Sequence, residues 1–164
     1  MARDAIARQY DVDKNGVQLV CEPGTGNYRP GTITFFAKKG KVIDLDKIQE
    51  SLRATRLSGS TNMEVTSLLV TAVGRASASA TAVMLKVAGT DRPLILEDAA
   101  GKGDGTAFRR LRELLAKGEQ TVMVTGYVPG WEGKFPAMLR TLAADAAAGK
   151  PLRLLVTEFQ LVKE

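Results

Sequence analysis

The spacing of apolar residues changes period several times along the chain, and each change predicts an element. A weakly helical stretch over 2–9 gives way to Asp11, Asp13, Asn15 and Gly16, which carry turn chemistry, and then to a strand over 17–21. Pro23, Gly24, Gly26, Pro30 and Gly31 predict a loop, and the β-branched and aromatic run over 32–37 predicts a second strand. The two runs suit a hairpin with a long loop. Residues 38–41 form a basic turn, Val42 and Ile43 are extended, and a helix opens near Asp44 or Asp46. Asp46 and Gln49 have the spacing of a capping box, while Leu45, Ile48 and Leu52 share one helical face. That helix ends by Ser58 and Gly59.

Gly59, Ser60, Thr61 and Asn62 are small and polar between two patterned stretches, which predicts a boundary between modules at 1–59 and 63–164. Beyond it the pattern favours strands. A long strand is expected over 65–76 with Gly74 as a bulge, then strands over 82–88 and 94–97. Gly101, Gly103 and Gly105 lead to a helix with Thr106 as its N-cap, Phe108, Leu111, Leu114 and Leu115 on its buried face and Gly118 at its stop. A fourth strand follows over 120–128, then a loop with the only tryptophan, an alanine-rich helix over 137–148 stopped by Gly149 and Pro151, and a fifth strand over 152–162.

Composition narrows the chemistry. The chain of 164 residues has no His and one Cys, Cys21. Imidazole-dependent dyads and zinc sites are thereby excluded, as are intrachain disulfides and multi-thiolate clusters from one copy of the chain. Carboxylate, lysine, backbone and hard-metal chemistry remain. The net charge of +5 is spread over both halves, with 10 basic and 7 acidic residues before Met63 and 13 and 11 after it, so no block of like charge stands out. Apolar runs are far shorter than the roughly 20 residues of a membrane helix, and the first ten residues lack a signal peptide's apolar stretch. A cytoplasmic location is expected if Met1 is the natural start, and an extracytoplasmic one if the chain is a mature fragment.

Two family resemblances follow from these elements. Thr32 to Phe36, Lys39 to Lys41, Asp44, Ile48 and Leu52 resemble the second half of a heavy-metal-associated domain, a ferredoxin-like α/β sandwich, over residues 16–57. That family binds metal through two cysteines in a loop after its first strand, and nothing here matches them. Metal chaperoning is not implied, whereas a missing first strand implies a sheet edge to be covered. Residues 63–164, with three strands, a helix and two more strands, resemble an OB-fold barrel. The helix over 137–148 departs from that pattern. The expected fold class is α+β: a partial ferredoxin-like sandwich followed by an OB-like five-strand barrel with two helices.

Candidate sites are few. Asp11, Asp13, Asn15, Val17 and Glu22, with Gly16 at the sixth position, match the oxygen-ligand spacing of an EF-hand calcium loop, and they equally match an Asx-type turn leading into a strand. Calcium is thus the one possible cofactor. Gly101 to Gly105 before a helix suggests either a phosphate cradle or a flexible connection. Tyr127, Trp131, Lys134, Phe135 and Arg140 gather aromatic and basic character around the loop after the fourth strand, a candidate surface for a ligand or for single-stranded nucleic acid. Glu97 and Asp98 are adjacent on a strand end and project to opposite sides. Cys21 is expected as a buried apolar thiol. The expected function is a non-enzymatic binding or assembly module acting through a protein partner or self-association. Single-stranded nucleic-acid binding and calcium binding are the alternatives.

Overall fold

The computed structural model describes residues 2–10, 12–23, 31–38, 41, 43, 67–90, 92–99, 105–129, 144 and 147–163. The chain divides into two compact units, Met1–Val65 and Thr66–Glu164.

In the first unit, α1 (Ala2–Gln9) carries Asp4 in its first turn and Arg8 in its last, the charge order a helix dipole favours. Asp13 then opens a 3₁₀ turn over Lys14–Gly16, its carboxylate accepting from the Asn15 amide at 2.9 Å. Lys14 reaches back to the Asp4 carboxylate and ties α1 to the turn. β1 (Gln18–Cys21) and β2 (Gly31–Thr34) form the expected antiparallel hairpin, with Gln18 opposite Thr34 and Cys21 opposite Gly31. Tyr10, Val12 and Val17 are buried, and the Tyr10 ring stacks on Phe35 at 5.6 Å between centroids.

One expectation here is corrected. Cys21 is exposed, because it ends a strand and faces Gly31, which has no side chain to cover the thiol. The helix expected over 44–58 lies outside the described residues. The two-stranded sheet described in this unit is less than the sandwich that the resemblance implies.

The second unit is a closed mixed barrel. β3 (Leu69–Ala78), β4 (Val83–Lys86), β5 (Leu94–Asp98), β6 (Gln120–Tyr127) and β7 (Leu152–Leu161) run in the order β3-β4-β5-β7-β6, with β6 returning to β3. β5 and β7 are parallel, and the other neighbours are antiparallel. With α2 (Thr106–Leu115) between the third and fourth barrel strands, this arrangement is compatible with an OB-like barrel.

Period-two alternation builds the interior. On β6, Val122, Val124 and Gly126 are buried while Thr121, Met123, Thr125 and Tyr127 are partly exposed. Leu85, Leu96 and Leu154 fill the barrel and are almost fully buried, and α2 adds Leu111 and Leu115, which cover its interior. Each such leucine contributes about 1.5–3 kcal/mol by leaving water. β3 runs through Gly74 in unbroken register with β6, so the bulge expected at Gly74 is not seen in that pairing. The strand pairs with β6 from Leu69 but with β4 only from Arg75, and a Cβ at Gly74 would run into the Lys86 carbonyl.

The helix start differs from expectation by one residue. Gly105, not Thr106, is the N-cap of α2; it is left-handed with φ 68° and makes no side-chain cap bond. The Asp98 carboxylate oxygens lie 3.4 Å from where a Gly105 Cβ would sit, so a carboxylate from β5 lies close to the helix start. Of the helix expected over 137–148, the described part includes the Ala148 amide bonded to the Ala144 carbonyl at 3.0 Å, followed by left-handed Gly149. No described helix is long and apolar enough to cross a membrane.

Candidate functional site

The outward side of β3 presents Leu69, Thr71, Val73 and Arg75, all exposed. β6 sets Tyr127, Thr125, Met123 and Thr121 opposite them one for one. β7 extends the rows, placing Leu155 beside Tyr127, Glu158 beside Thr125 and Gln160 beside Met123. On the other flank, β4 sets Lys86 opposite Arg75. The outcome is an apolar and threonine face edged by Arg75 and Lys86 on one side and by Glu158 on the other.

This face is solvated. Leu69 is 54% exposed and Val73 48%. Each lies directly beside a large side chain, Tyr127 and Met123 respectively, so the apolar positions form two cross-strand pairs. Between them the Thr71 and Thr125 hydroxyls share a hydrogen bond of 2.8 Å.

The charges at its edge are unevenly compensated. Arg75 approaches Glu119 at 3.8 Å, an exposed contact. Lys86 is in no ion pair among the described residues, although it stands directly across from Arg75. Like charges so placed destabilise a sheet by a few tenths of a kcal/mol, roughly the size of one favourable cross-strand pair. Arg153 is held differently. Its Nε donates to both Glu97 carboxylate oxygens at 3.0 Å and its Nη2 to one of them at 2.6 Å. Hydrogen bonding to Glu97 raises the Arg153 pKa, so that pair is locally neutral. Positive charge therefore gathers at Arg75, loosely paired with Glu119, and at Lys86.

The chain matches no protein-family model, no curated protein and no solved structure. Local geometry alone informs the site.

Of the aromatic and basic cluster expected after the fourth strand, Tyr127 stands on β6 within the apolar face. Trp131, Lys134, Phe135 and Arg140 lie outside the described residues. In the calcium-loop match, Asp11 lies outside them as well. Asp13 turns its carboxylate to the Asn15 amide, Asn15 and Gly16 belong to the 3₁₀ turn, Val17 is buried and Glu22 is exposed. The chain leaves this turn as β1, where an EF-hand loop leads into a helix. Among the described residues, no three of His, Cys, Asp and Glu converge as a metal site requires. Glu97 and Asp98 part company, Glu97 going to Arg153 and Asp98 to the start of α2. Residues 101–104 lie outside the description.

Leu69, Val73, Arg75 and Lys86 were not singled out by sequence. The signal for the two cations lies in their strand parity. Arg75 shares its parity with Leu69 and Val73, and Lys86 alternates with the buried Leu85.

Proposed function

We propose that this chain is a non-catalytic binding module whose OB-like barrel docks a protein partner on the outward face of β3 and β6. In this reading the first unit is a ferredoxin-like module, of which the β1–β2 hairpin is the described sheet. The supporting observation is that Leu69 and Val73, each about half exposed, sit directly beside Tyr127 and Met123. Two exposed apolar cross-strand pairs on one sheet face, edged by charge, have the anatomy of a contact surface with a polar rim.

Selecting peptides from a displayed random library against the full chain tests this. Peptides that use the face should lose at least tenfold in affinity to a Leu69→Asp, Val73→Asp double variant whose melting temperature stays close to the parent's. Equal binding to the parent and the double variant would remove the reading.

A second reading has its own support. Arg75 and Lys86 are cross-strand neighbours and place two cations on one outward strip, as a polyanion site requires. Single-stranded nucleic acid on this strip would show as retention of labelled oligo(dT) that weakens steeply with salt. No retention at low salt would dismiss it.

A further inference from the structure

Resting on the reading of the β3–β6 face as a protein-docking surface, we infer that its occupant is an acidic amphipathic helix: an apolar stripe flanked by carboxylates. The argument is charge complementarity along one strand. β3 carries Leu69 and Val73 in line with Arg75, and β4 adds Lys86 across from Arg75. A partner that covers Leu69 and Val73 and runs along the strand must meet two cations at one end of its footprint. Arg75 has only the distant Glu119 contact at 3.8 Å to compensate it. Covering these cations with an apolar or basic segment strips their water with nothing in exchange, whereas carboxylates replace that water with charge-assisted hydrogen bonds. Glu158 stands on β7, on the far side of β6 from β3, so it borders the face without shielding the cations.

The spacing suits a helix. Leu69 and Val73 are four residues apart on an extended strand, about 13 Å, and two helical turns span about 11 Å. One apolar stripe repeated over two turns therefore reaches both side chains, and the next turn places acidic flanks over Arg75 and Lys86.

The test uses the full chain and three synthetic 18-residue peptides with the same leucine stripe, whose remaining positions are all Glu, all Lys or all Gln. Labelled peptides are titrated at low and moderate salt, with oligo(dT) as a fourth probe. The expected result is that the Glu peptide binds at least tenfold more tightly than the Lys peptide. Leu69→Asp with Val73→Asp abolishes binding, and Arg75→Glu with Lys86→Glu transfers the preference to the Lys peptide. If all three peptides bind alike, lose binding to the apolar double variant and ignore the charge reversal, the acidic partner is overturned and the docking face stands. If none binds, or if binding ignores the apolar variant, both fall. If oligo(dT) binds more tightly than the Glu peptide and depends on Arg75 and Lys86 but not on Leu69 and Val73, the strip serves nucleic acid instead. Should the aspartate variant fail to fold, Leu69→Ser with Val73→Ser poses the same question with a milder change.

Discussion

Single residues already decide several physical questions in this chain. The Lys14 ammonium, bonded to the Asp4 side chain, holds that carboxyl down to about 2 from an ordinary 3.8. A carboxyl with a depressed folded pKa adds stability that is present above its ordinary value and lost as pH falls toward its folded one. The tie between α1 and the 3₁₀ turn should therefore weaken between about pH 4 and pH 2. In Lys14→Ala the Asp4 carboxyl should titrate closer to its ordinary value without reaching it, because the N-terminal ammonium also holds it down, as read by carbon-13 NMR of the side chain. An unmoved midpoint would show that Lys14 is not what holds it down. Gly74 poses a steric question. With the Lys86 carbonyl where a Cβ would go, Gly74→Ala must push β3 away from β4. We expect a loss of about 1–3 kcal/mol in chemical denaturation, the usual cost of overpacking. Gly118→Ala, with no atom within 4 Å of its Cβ position but a φ of 131°, separates backbone strain from crowding.

At the scale of elements, legibility in the sequence depended on whether apolar residues fell on one parity. β6 alternates valines with larger or polar residues, and its extent and inward face were readable. β3 was readable as a strand but not as a surface, because Leu68, Leu69, Val70, Ala72 and Val73 are apolar at both parities. Only the folded barrel, in which Leu69 and Val73 are exposed, decides that they face outward. The candidate face was hidden for that reason. The start of α2 falls one residue earlier than expected for a different one: a threonine is a good cap by local chemistry, but the left-handed Gly105 takes that position without a side-chain cap bond. The apolar stripe of α2 was plain, and Leu111 is its most buried member. Leu111→Ala should cost about 2–5 kcal/mol, since a cavity beneath a helix that roofs the barrel has little freedom to collapse. A thermal melt shifted by less than a couple of degrees would mean that α2 contributes little to closing the interior.

For the whole molecule, the chain divides into two compact units, Met1–Val65 and Thr66–Glu164, and the second is a closed mixed barrel of five strands. The contacts that close this barrel join distant parts of the chain. Thr71 and Thr125, linked through their hydroxyls, are 54 residues apart, and the Glu97 and Arg153 pair spans 56. The parallel β5–β7 pairing cannot be reached through a hairpin, and β3 and β6 meet only after two other barrel strands and a helix have been laid down between them. Such pairings give no reward until a long loop has been closed, so the barrel should be a slow folder, on a scale of about milliseconds to seconds rather than microseconds. Until β7 arrives, one edge each of β5 and β6 stands open, and that interval is when this chain is most exposed to mispairing with a second copy. Refolding yield should accordingly fall as protein concentration rises during the slow phase, even though the finished barrel shields those same edges.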